Sequence, residues 1–183
     1  MWRNTAQGYG LISIGLHWLM AVAIFGLFGL GLWMVELTYY SSWYQTAPAI
    51  HKAIGVILML LLLARLLWRG FNPTPAAHSN HRRVEQIGAK VGHLLLYGGI
   101  ALVLVSGYLI STADGRGIDL FGLVELPALI SGIDQQEEIA GQIHFYAAWG
   151  LVLAAIGHGL AAVKHHIFDK DTTLIRMVKP THS

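Results

Sequence analysis

The run "IHFYAAWGLVLAAIGHGLAAVKHH", Ile143–His166, carries two imidazoles, His144 and His158, in a stretch that meets no formal charge before Lys164. Its length and apolarity suit a membrane span, and in lipid a single segment satisfies its own backbone only as a helix. Along a helix, His144 and His158 stand about 21 Å apart on the axis and about 40° apart around it. One face of one helix therefore presents a nitrogen ligand near each surface of a bilayer.

Three further apolar runs precede it, from about Tyr9 to Val35, Ile50 to Trp68 and Val91 to Thr112, with the fourth span itself over Ile143 to Val163. The composition agrees: 55% of the 183 residues are hydrophobic and 12% are charged, about half the charge of an average soluble domain. The expectation is one all-α domain over residues 1–183, an integral membrane four-helix bundle. The first run is too long for the core of a signal peptide and lacks a small-residue cleavage site, so it reads as a retained span. No cysteine is present, which excludes disulfides, iron–sulfur ligation and covalent haem attachment.

Charge sets the orientation. The second connection, "RGFNPTPAAHSNHRRVEQIGAK", carries Arg69, Arg82, Arg83 and Lys90, and the tail carries Lys164, Lys170, Arg176 and Lys179. By the positive-inside rule both lie in the cytoplasm, and the N and C termini with them. The third connection, "ADGRGIDLFGLVELPALISGIDQQEEIAG", sets Arg116 against Asp114, Asp119, Glu125, Asp134, Glu137 and Glu138, and the first has no base. Those two face the periplasm. The length of the third connection predicts a short interfacial helix there. Tyr39, Tyr40, Trp43 and Tyr44 form an interfacial aromatic belt where the first span ends.

Five histidines lie within or at the ends of spans: His17, His51, His93, His144 and His158. Ionisable groups inside a membrane are rare and mark ligands, ion paths or proton relays. Topology gives each a depth. His17, early in an outward-running helix, and His158, late in an inward-running one, both lie toward the cytoplasm. His51 and His144 both begin inward-running helices and lie toward the periplasm. Imidazoles from facing helices suit iron, and two such pairs would each sandwich a haem. Small residues near the four, Ala47 and Gly55, Ala140 and Ala148, Ala154 and Ala162, and Ala21, leave room for a flat macrocycle, although they also favour close helix packing.

His93 opens the third span on the cytoplasmic side, and spacing alone leaves it open as a ligand in place of His17 or His158. A propionate-binding or quinone-side role is preferred, since four ligands are complete without it. Arg65 and Lys52 either neutralise haem propionates or snorkel to the headgroups. His165 and His166 either line a quinone pocket or sit among headgroups, and His78, His81 and His182 are expected on the solvated surface.

At these residues the chain resembles the bacterial cytochrome b561 family. The resemblance rests on "GLHW" at Gly15–Trp18, "HKAIGVILMLLLLARLLWR" at His51–Arg69, "GHLLLYGGIALVLVSGYLIS" at Gly92–Ser111, the His144/His158 pair and "HHIFDKDTTLIRM" at His165–Met177. It implies two non-covalent b haems, bound by His17 with His158 and by His51 with His144, in a multi-pass protein of the bacterial inner membrane. It also implies electron exchange with ubiquinone, with superoxide oxidation known in some relatives and partner proteins in others.

Filled axial positions favour outer-sphere electron transfer over oxygen chemistry. The leading expectation is thus an electron-transfer protein without catalytic residues of its own, or, as an enzyme, a quinone oxidoreductase joining a periplasmic donor to the quinone pool. The alternative is a haem-bearing membrane anchor that relays electrons for a periplasmic partner protein, its acidic loop serving as the docking surface. A haem-free transporter or metal channel is the third reading. Besides lipid, quinone and such a donor, no nucleic-acid partner is expected.

Overall fold

In a computed structural model, residues 1–76 and 81–180 are described. His78 and His182 lie outside them. The chain is all-α, with four helices long and apolar enough to cross a membrane: α1 (Leu11–Met34), α2 (Thr46–Phe71), α3 (Arg83–Thr112) and α4 (Gln136–Ile167). Each is longer than, or close to, its apolar run. α3 begins eight residues before Val91, and α4 begins at Gln136 and ends at Ile167, because polar turns continue the helix beyond the hydrocarbon. At the α3 start the Glu85 carboxylate accepts the Arg82 N–H at 2.9 Å, half of a capping box. Glu137 and Glu138 open α4 while Lys164, His165 and His166 close it, the polarity that the helix dipole favours.

The chain forms two compact units, and all four helices run through both. The first unit comprises residues 1–21, 61–97 and 153–183. Here the tail returns to α1, where Trp18 Nε1 donates to the Met177 carbonyl at 2.6 Å. Asn4 Nδ2 donates to the Pro73 carbonyl at 3.1 Å, and Trp68 Nε1 donates to Ser13 Oγ at 3.1 Å. The second unit comprises residues 22–60 and 98–152. Phe28 and Trp149 meet edge to face at 4.9 Å, and Ala47, Ala53 and Ala140 are buried. Large apolar side chains cover the outside of the helices, Leu94 being 72% and Leu160 64% exposed. Contiguous apolar surface on this scale belongs in lipid rather than water.

The expected interfacial helix in the third connection is not formed. Its place is taken by an antiparallel hairpin, β1 (Ile118–Leu120) with β2 (Val124–Leu126), with Ile118 opposite Leu126. The reason is local. Phe121 and Gly122 both have positive φ, 56° and 73°, and the Leu123 N–H bonds the Leu120 carbonyl at 3.1 Å. Positive φ at both central residues makes a hairpin turn that matches strand twist. Asp119 accepts the Gly122 N–H at 2.9 Å, and Tyr108 Oη ties the connection to α3 by donating to Pro127 O and accepting from the Leu129 N–H.

Tyr39 and Tyr44 stack edge to face at 5.9 Å, as do Trp33 and Trp43. The exposed cluster has the amphipathic character of a membrane-interface belt.

Candidate functional site

In the first unit, α1 brings His17 and α4 brings His158 to a ring-centre separation of 6.2 Å, the planes inclined at 71°. In the second, α2 and α4 bring His51 and His144 to the same 6.2 Å, with planes at 68°. This spacing leaves room for a metal between the two rings. A metal–imidazole bond of about 2.0 Å on each side, plus about 1.1 Å from each nitrogen to its ring centre, also comes to about 6.2 Å. Direct van der Waals packing of two rings does not require that value, and a hydrogen-bonded pair would be closer.

The donor set supports the same use. His144 Nδ1 lies 2.9 Å from the Val103 carbonyl and 3.3 Å from Ser106 Oγ, which itself donates to Leu102 O. A proton on Nδ1 bonded to a carbonyl leaves Nε2 as the free donor atom, the arrangement that orients metal-binding histidines. His51 Nδ1 is buried and makes no hydrogen bond. Glycines allow both rings to lie against neighbouring backbone: a Cβ at Gly31 would meet His51 Cε1 at 3.2 Å, and one at Gly107 would meet His144 Cε1 at 3.0 Å and Nδ1 at 3.2 Å. The residues therefore fit a bis-imidazole metal group in each unit.

Several contacts lie beyond what the spacing of histidines could reveal. Arg65 approaches His17 Nδ1 with Nη2 at 3.1 Å and donates from Nε to Tyr97 Oη at 3.0 Å. It is thus part of the His17 surroundings, held from α2, and Tyr97 also lies under the guanidinium of Arg69 at 5.7 Å. His93 faces His158 at 5.3 Å with planes at 59°, about 0.9 Å short of the separation shared by the two other pairs. Gly31 and Gly107 carry only a weak sequence signal, a glycine within a helical run where alanine would be the better helix former.

His81 departs from expectation. Its side chain is 16% exposed and Nε2 lies 2.7 Å from Asp171 Oδ2, so it is packed against the tail instead of solvated. His165 is likewise half-buried beside Asp169. In the acidic connection Arg116 pairs with Asp114, and its guanidinium holds the Asp114 carboxyl below the usual carboxylate range. Asp119 and Glu125 stand directly opposite each other on the hairpin.

The family described as prokaryotic cytochrome b561 matches residues 8–180. Cytochrome b561 homolog 2 of Escherichia coli is 45% identical over 180 residues, covering 98% of this chain and 96% of that protein. A probable superoxide oxidase, CybB, of Yersinia pestis is 26% identical over 172 residues, covering 93% and 95%. Cytochrome b561 homolog 1 of E. coli is 26% identical over 169 residues, covering 91% and 94%.

Proposed function

Because this chain belongs to the prokaryotic cytochrome b561 family of membrane haem b proteins, we propose that it holds two haems b and passes electrons between a periplasmic-side donor and the quinone pool. His17 and His158 hold one haem, and His51 and His144 the other. The observation that carries this reading is the identical 6.2 Å spacing of the two imidazole pairs. Both termini lie on the cytoplasmic side of the inner membrane, in keeping with the basic second connection and tail.

Bound haem supplies one-electron chemistry at iron. With His17 and His158 on one such group and His51 and His144 on the other, the chain's own residues would leave no open position for oxygen and would favour outer-sphere transfer. The Val103 carbonyl fixes the His144 tautomer, and α4 carries one histidine of each pair.

Arg65 sets the two centres apart. Its positive charge beside His17 favours the reduced, less positive state of the haem there, whereas the second unit has no such cation against His51 or His144 among the described contacts. Arg65→Met therefore lowers one of the two reduction potentials by on the order of 50–100 mV and leaves the other in place. A potentiometric titration followed at the α band resolves the two steps and checks this.

Charge at the periplasmic connection bears on the class of donor. Arg116 is engaged by Asp114, and the hairpin presents Asp119 beside Glu125. An acidic mouth repels anions and attracts cationic surfaces, so superoxide is disfavoured here relative to a neutral carrier or a basic protein. This acidic hairpin also supports the second reading, an electron-relaying anchor for a basic periplasmic partner.

Anaerobic stopped-flow measurement separates the two. The purified, reduced protein is expected to be reoxidised by a soluble ubiquinone analogue with no other protein present. Reoxidation that requires an added partner, and that weakens steeply between low and physiological salt, would instead establish the anchor reading.

A further inference from the structure

We propose that His81, His165 and Asp171 form a binding site for one zinc ion, joining the segment that enters α3 to the end of α4 and the tail. The site lies within the first unit and apart from the histidine pairs. His81 precedes α3, His165 sits in the last turn of α4, and Asp171 follows that helix. Their donor atoms lie within 4.8 Å of one another. Side-chain exposures are 16%, 15% and 10% respectively, so three polar groups from distant parts of the sequence converge out of solvent.

The distances suit a small tetrahedral ion. Ligands about 2.0–2.1 Å from zinc stand about 3.3–3.4 Å from each other, and His165 Nδ1 lies 3.4 Å from Asp171 Oδ2. The His81 Nε2 to Asp171 Oδ2 contact, at 2.7 Å, is a hydrogen bond. Zinc binding opens it by about 0.6 Å and releases its proton.

His165 Nδ1 is the more telling atom. It is buried and makes no hydrogen bond, with carboxylate oxygens of Asp169 and Asp171 2.7 and 3.4 Å away. Two imidazoles and a carboxylate are a zinc ligand set.

The surroundings favour occupancy. The Thr173 N–H donates to Asp171 Oδ1 at 2.7 Å, which fixes the carboxylate as supporting hydrogen bonds do at metal sites. Lys164 Nζ binds Asp169 Oδ2 at 2.6 Å and Glu85 Oε1 at 3.0 Å, so those two carboxylates already neutralise that cation. The ion would reinforce the docking of the tail, to which Trp18 with Met177 and Arg176 with the Ala76 carbonyl also contribute.

The test uses the full-length haem-loaded protein in detergent, stripped with a chelator, re-equilibrated with zinc chloride at tens of micromolar and desalted. Elemental analysis is expected to find about one zinc per chain. His81→Gln and His165→Gln should lose that zinc while keeping the wild-type haem-to-protein ratio, and His166→Gln, at an exposed position, should keep both. Retention of no zinc by the wild-type protein overturns the proposal, as does equal retention by the His81→Gln/His165→Gln double variant.

Discussion

Leucine in place of Gly107 is expected to cost the protein one of its two haems. In the middle of α3, alanine is worth about 0.5–1 kcal/mol more than glycine, yet the position has no side chain. The space is taken by His144, since even a single Cβ at 107 would lie 3.0 Å from Cε1 and 3.2 Å from Nδ1 of that ring. Nδ1 of that ring also faces Val103 O and Ser106 Oγ, so a ring pushed away from α3 loses the bond that fixes its tautomer as well as its position. A branched side chain of four carbons demands a far larger displacement than a Cβ. Misplacing a ligand by about 1 Å is enough to spoil a preorganised metal site.

Gly98→Leu is the matched control. It lies on the same helix, but a Cβ there meets nothing within 4 Å. Haem content by pyridine haemochrome should fall toward one per chain for Gly107→Leu and stay at two for Gly98→Leu. Loss in both variants would point to general damage to α3.

An effect of equal size is expected at the first unit's pair. His158→Ala removes one imidazole of the 6.2 Å pair with His17, so a single histidine of that pair would be left to hold the group, and the chain should retain one haem. His93→Ala should retain two. His93 is closer to His158, at 5.3 Å, but that separation is too short for two imidazoles on opposite sides of one metal. Its position suits contact with the edge or propionates of a group held by others. If His93→Ala loses a haem and His17→Ala does not, the ligand of the first unit has been misassigned.

Much of this was legible in the letters. Four uninterrupted apolar runs specify four helices, because lipid leaves the backbone no alternative. The depth of each histidine follows from the alternation of helix direction, which groups His17, His93 and His158 toward one surface and His51 with His144 toward the other, and depth alone leaves His93 open beside the first pair. Helix ends were less legible. Arg83–Lys90 and Gln136–Gln142 are polar, so a hydropathy pattern passes over them, although capping by Glu85 and the acidic first turn of α4 continue the helices there.

The hairpin was hidden for a related reason. Its strands are three residues each, too short for a period-2 pattern, and the decisive signal is the positive φ shared by Phe121 and Gly122. The contacts of Gly31, Gly107 and Arg65 with the histidine rings, and the burial of His81 against Asp171, join residues from different elements. No local pattern encodes which side chains such elements will bring together.

The central claim is that four histidines act as two independent pairs, and haem counting in double variants tests it most directly. His17→Ala/His158→Ala should hold one haem per chain, the same as either single change, and so should His51→Ala/His144→Ala. The crossed combination His17→Ala/His51→Ala should hold none. A within-pair double that holds none, or a crossed double that still holds one, would contradict the pairing.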